Sequence, residues 1–137
     1  MTTNVLFMCP HAAGKSLFAA TYFRAAASRA GLDVTINVAG PEPDEVNMAN
    51  VQAALEDQGY TISWHPKLID RDDTDAADII VSVGCDHDQV PTDKPITEWS
   101  APLLSEDFAA SMTAIHAHAE ALAAQLSIAI PRDQPPV

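Results

Sequence analysis

Asn4-Val5-Leu6-Phe7-Met8-Cys9-Pro10-His11-Ala12-Ala13-Gly14-Lys15-Ser16 decides the reading of this chain. An apolar run suited to a buried strand passes into a loop of small residues, and a helical pattern opens at Ser16. A strand, a small-residue loop and a helix start in that order build an anion cradle. Loop amides and the unpaired N–H groups of the first helical turn converge there with partial positive charge. Cys9 stands at its mouth, where the same field favours the reactive thiolate.

Outward from this stretch, Ser16 to Ala30 carries Leu17, Ala20, Tyr22, Phe23 and Ala27 at helical spacing, with Gly31 as a stop. Val34 to Ala39 alternates and is β-branched, so a second strand is expected there, broken by Gly40-Pro41-Glu42-Pro43. A second helix is expected from Val46 or Asn47 to Gln58. The acidic segment Asp70 to Asp78 is a candidate for a short one. Ile79 to Val83 is an uninterrupted apolar run, the pattern of a central parallel strand covered on both faces. Thr97 to Trp99 fits a short edge strand. Ser105 to Leu126 fits a long helix with Phe108, Met112, Ile115, Ala119 and Leu122 on one stripe. Strands alternating with helices predict an α/β three-layer sandwich around a short parallel four-stranded sheet. One domain is expected over residues 1–127, and the proline-rich residues 128–137 read as a flexible tail.

The 137 residues suit one domain, and no apolar run approaches the ~20 residues that span a bilayer, so a cytoplasmic protein without a membrane partner is expected. Seven basic against nineteen acidic residues leave a formal charge of −12, which repels nucleic acid. A small oxyanion must then be captured by short-range amides and a local lysine. The two cysteines, in a reducing compartment, point to chemistry or packing rather than a structural disulfide.

Two chemistries fit the loop. Gly14-Lys15-Ser16 could close a nucleotide-binding loop of the form G-x-x-x-x-G-K-[ST], with Cys9 in the place of its first glycine. Alternatively Cys9 is a nucleophile and Lys15 holds the anion, with the amides of His11, Ala12, Ala13, Gly14, Lys15 and Ser16 as the cradle. Apart from these, Cys9-Pro10-His11 and Cys85-Asp86-His87 are two Cys-x-His pairs at expected strand ends, so Cys9, His11, Cys85 and His87 form an alternative tetrahedral metal set. Lys67 and Asp86 are placed either at the cleft or on the surface, and His116 and His118, two apart on a helix, cannot share a face.

On the nucleophile reading the chain resembles the low-molecular-weight protein tyrosine phosphatase superfamily, and within it the arsenate reductase-like branch. The resemblance rests on the apolar strand and Cys9, then five residues, then Lys15-Ser16. It extends through Asn37-Val38-Ala39-Gly40, Ala53 to Lys67, and Val81-Ser82-Val83-Gly84-Cys85-Asp86 with Trp99 further on. It implies a Cys9 nucleophile, a Ser16 hydroxyl on the thiolate and, from Cys85, a thiol able to resolve the intermediate.

Three departures qualify what carries over. Lys15 stands where the family has Arg, replacing a two-pronged grip by one ammonium. Ala12 stands where an Asn braces the loop. Ala101-Pro102 or Leu103-Leu104 stand where the family's acidic residue precedes a proline, and such a proton donor is typically worth ~100 to 10,000-fold in rate. The resemblance therefore implies a thiol-dependent arsenate reductase. A tyrosine phosphatase, or a relative that only binds an oxyanion or metal, is the alternative. Arsenate, phosphate or sulfate is the expected ligand. No cofactor is expected beyond an external thiol such as mycothiol, glutathione or thioredoxin, the last making a thiol-redox partner.

Overall fold

The structure, a computed structural model, describes residues 2–10, 14–43, 48–62, 64, 67–104 and 106–129. In chain order the elements are β1 (Thr3–Met8), α1 (Lys15–Arg29), β2 (Val34–Ala39), α2 (Met48–Asp57), α3 (Arg71–Ala76), β3 (Ile79–Ser82), a 3₁₀ turn (His87–Gln89), β4 (Thr97–Glu98) and α4 (Phe108–Ala129). The four strands form one sheet in the order β2-β1-β3-β4. All three pairings are parallel.

The sheet order explains the sequence pattern. Central β1 is covered on both faces, so Val5, Leu6, Phe7 and Met8 are all buried and the strand reads as an unbroken apolar run. β2 lies at an edge and alternates over its first four residues. Even-numbered and odd-numbered side chains of β1 enter different cores. Val5 and Phe7 join Val81 of β3 and Leu17, Phe18, Val51, Leu55 and Ile115 from α1, α2 and α4. Leu6 and Met8 join Ile80, Ile69, Ala77, Cys85 and Val90 on the other face. Phe7 touches both Phe23 and Trp99, with ring centroids 5.6 and 5.4 Å away.

The expected elements are present with shifted ends. α4 starts at Phe108 rather than Ser105, because the Asp107 carboxylate takes the Ala110 N–H over 2.9 Å and so caps the helix there. It also runs on through Ile128 and Ala129, two residues into the stretch read as a tail. Helix-forming Ser127-Ile128-Ala129 precede the first proline, Pro131, and the chain from 130 on lies outside the described residues. The segment at 44–47, where the second helix was expected to begin, also lies outside them. His116 packs on the Tyr22 ring, and His118 stacks on Trp99 and approaches the Ser100 carbonyl at 3.0 Å.

Short α3 is held at both ends. Asp70 and Asp73 form a reciprocal capping box at its start. At its end, the Lys94 ammonium donates to the carbonyls of Thr74, Asp75 and Ala77 over 2.9, 2.8 and 2.8 Å. A cation at the C-terminal carbonyls answers the helix dipole. Lys94→Met is therefore expected to lower stability by roughly 1 to 2 kcal/mol, visible as a lower urea midpoint with an unchanged slope.

Candidate active site

The site forms where β1 and β3 end side by side. Met8 is in register with Ser82, and the Val83 N–H donates to the Met8 carbonyl over 2.8 Å, so Cys9 leaves the sheet beside Val83-Gly84. Past Pro10, whose carbonyl accepts the Glu42 N–H at 2.9 Å, the chain reaches Gly14 and turns into α1. His11, Ala12 and Ala13, named above as cradle residues, lie outside the described residues.

Cys9 continues the odd-numbered alternation of β1 toward the α1 side and is only 3% exposed. Its Sγ lies 3.0 Å from the Oγ of fully buried Ser16. When Cys9 is a thiolate, Ser16 donates that hydrogen bond, and the start of α1 adds its positive end. Lys15, the first residue of α1, reaches across to the end of β3. Its Nζ would be 2.8 Å from a β-carbon built on Gly84, whose φ of +87° already favours glycine. One ammonium thus spans from the loop of Cys9 to the loop of Cys85.

Cys85 turns to the other face. It is 7% exposed and packs with Leu6, Met8 and Ile80, while its N–H donates to the Ser82 hydroxyl over 3.0 Å. Burial pushes its thiol up to about 11, and the negative charges of Cys9, Glu98 and Asp86 add to this. At neutral pH Cys85 is therefore protonated. Both cysteines are free thiols.

Glu98 is a site residue that the sequence did not disclose. From the end of β4 its carboxylate accepts the Gly84 N–H over 2.9 Å and lies 2.8 Å from His87 Nε2. Burial alone would raise its pKa, but the Gly84 N–H, His87 and the Ser82 hydroxyl together hold it below the usual carboxylate range. In the sequence it is one acid among nineteen, and only the β3–β4 register brings it over Gly84.

The remaining candidates are held by other partners. Lys67 pairs with Asp73 and Asp70 beside α3, and the Asp86 carboxylate accepts the Asp88 N–H at 3.0 Å. In the metal alternative, His87 is engaged by Glu98 and His11 lies outside the described residues. Among the described residues no group of three or more His, Cys, Asp or Glu side chains could hold a metal ion. After Trp99 the late loop carries no acid at 100–104, and Asp107 is committed to the cap of α4.

No curated protein matches the chain significantly. Among solved structures it is similar to the thioredoxin-dependent arsenate reductase of Corynebacterium glutamicum, at 26% identity and a TM-score of 0.75 over 93% of this chain. It spans 63% of that protein's length. An arsenate reductase of Archaeoglobus fulgidus is similar at 26% identity and a TM-score of 0.60, with 90% of this chain and 98% of that one covered. A protein tyrosine phosphatase of Entamoeba histolytica shares the fold at 16% identity and a TM-score of 0.72, over 93% of this chain and 98% of that one. Residues 4–98 match the family described as low molecular weight phosphotyrosine protein phosphatase, from β1 to the end of β4, which takes in the loop read alternatively as a nucleotide site. A strand, a cysteine loop and a helix start, with the sheet order that surrounds them and this match, place the chain in the low molecular weight phosphotyrosine protein phosphatase family.

Proposed function

We propose that this protein is a thiol-dependent arsenate reductase of one domain, working in the cytoplasm. The observation that carries this reading is the pair of buried free thiols at the ends of adjacent strands, Cys9 against Ser16 and Cys85 beyond Gly84. Cys9 attacks arsenic as a thiolate and an As–O bond breaks. The departing oxygen leaves as hydroxide or, with a proton, as water. Lys15 and the loop amides hold the anionic oxygens. A second thiol, Cys85 or an external one, then attacks Cys9 Sγ. The S–As electron pair passes to arsenic, arsenite leaves, and two sulfurs are oxidised by two electrons in all. An external thiol of the mycothiol, glutathione or thioredoxin class restores the reduced enzyme. The similarity to a thioredoxin-dependent arsenate reductase favours the last of these.

Phosphatase activity is the second reading, favoured by the family match, but residues 100–104 offer no carboxylic acid to protonate a phosphoester leaving group. Among the described residues no helix is long and apolar enough to cross a membrane.

The test is to incubate reduced protein with arsenate and each thiol in turn. Arsenite release is expected, and Lys15→Met is expected to cut kcat/KM by roughly 100-fold or more, the usual cost of one transition-state donor. Tight sulfate binding without arsenite release under any thiol would instead identify an oxyanion binder that does not turn over.

A further inference from the structure

Cys9 and Cys85 are both free thiols, and they turn different ways. Cys9 faces α1, whereas Cys85 packs with Leu6, Met8 and Ile80 on the opposite side of the sheet. A disulfide needs its sulfurs ~2.05 Å apart, so the peptide at Gly84-Cys85 must swing for Cys85 to arrive. The structure shows what holds that peptide. The Glu98 carboxylate takes the Gly84 N–H at 2.9 Å and lies 2.8 Å from His87 Nε2. Independently of Glu98, the Ser82 hydroxyl accepts the Cys85 N–H at 3.0 Å and donates to the Cys85 carbonyl at 3.4 Å. One side chain on an edge strand thus closes the turn on both sides of Cys85.

We propose that Glu98 is a positioning residue for the resolving step: it latches the Gly84–His87 turn shut and keeps Cys85 on the face opposite Cys9. This rests on the reading of Cys85 as the resolving thiol. The groups facing Cys85 act in the same sense. Cys9, Glu98 and Asp86 are negative toward it, and the charges nearby that oppose them are the Lys15 ammonium against Gly84 and His87 when protonated. Glu98 therefore restrains Cys85 twice, by holding its backbone and by disfavouring its thiolate. Loss of the carboxylate would release both restraints.

Hydrogen peroxide tests the latch without arsenate. The Cys9 thiolate breaks the O–O bond and keeps one oxygen as a sulfenic acid, and the other leaves as hydroxide. Cys85 then gives up its proton and attacks that sulfur. The sulfenic oxygen departs with the proton as water, so two electrons pass from the two sulfurs to the peroxide. Closure after a peroxide pulse, followed by mass spectrometry of the Cys9–Cys85 disulfide, is expected to be at least about tenfold faster in Glu98→Ala than in the native protein. That is the factor implied by losing one charge-assisted hydrogen bond. Glu98→Gln, which keeps an acceptor for Gly84 but not the charge, is expected to fall between them. Alkylation of Cys9 serves as the control and should barely move.

Closure in Glu98→Ala at or below the native rate would overturn the latch. So would an equal rise in Cys9 alkylation, which would signify general loosening, or no Cys9–Cys85 disulfide in any of the three proteins. Arsenite release is measured separately: its absence alongside accelerated closure would sink the arsenate reading and leave the latch intact.

Discussion

Cys9→Ser should reduce arsenite release by at least about 10⁴-fold, the scale on which removal of a catalytic nucleophile acts. A serine hydroxyl is not ionised near neutral pH and forms no reducible bond to arsenic, so both halves of the proposed chemistry end with it. The substitution is nearly isosteric in a pocket that already contains the Ser16 hydroxyl 3.0 Å from the sulfur, and the fold should survive. Sulfate affinity, measured by calorimetry, should stay within a few-fold of native because Lys15 and the loop amides remain. Arsenite release persisting at more than a hundredth of the native rate would place the nucleophile elsewhere.

The second large effect concerns stability. Phe7 is fully buried in the middle of β1 and meets Phe23 from α1 and Trp99 from the end of β4. It joins three elements at the level of the sheet just beneath Cys9. Phe7→Ala should cost about 3 to 5 kcal/mol through lost burial and the cavity left behind, a large share of the ~5–15 kcal/mol that stabilises a domain. The melting temperature should fall by roughly 10 to 20 °C, read by circular dichroism. A fall of less than a few degrees would mean that Phe23 and Trp99 collapse into the space, and that the packing of the sheet beneath the site is softer than its burial suggests.

Much of the fold was legible because its information is local. The bounds read for β2 are those observed, and Gly31 and Gly59 end α1 and α2, each with positive φ. β1 and β3 announced themselves as continuous apolar runs because a strand covered on both faces has no solvent side to mark with polar residues. Caps and ends were less legible. The helix α4 was read from Ser105, whereas it begins at Phe108 with the Asp107 carboxylate on the Ala110 N–H. Lys94, six residues before Ser100 in a proline-bounded loop, gave no hint that it would close α3.

Within the site, the cysteine loop was readable from residue order alone. A strand end, a short loop and a helix start must lie close together, so Cys9, Lys15 and Ser16 had to share one small volume whatever the rest of the chain did. Sequence separation of seven residues sufficed for the contact of Cys9 with Ser16. The relation between Cys9 and Cys85 was legible only in part. Parallel strands put both residues at one edge of the sheet, but which face each would take depends on how the chain turns after β3, and the Ser82 hydroxyl and Gly84 set that turn.

By itself, then, the sequence determined a parallel α/β domain with a thiol at a strand–loop–helix turn, because strand burial, helix periodicity and that order of elements are encoded within short windows. Tertiary structure alone decided that Lys15 lies against Gly84, that Cys85 faces away from Cys9, and that Glu98 closes the turn between them. Those three facts depend on contacts between β1, β3 and β4, whose register is fixed by the packing of the whole sheet and is written in no single stretch of the chain.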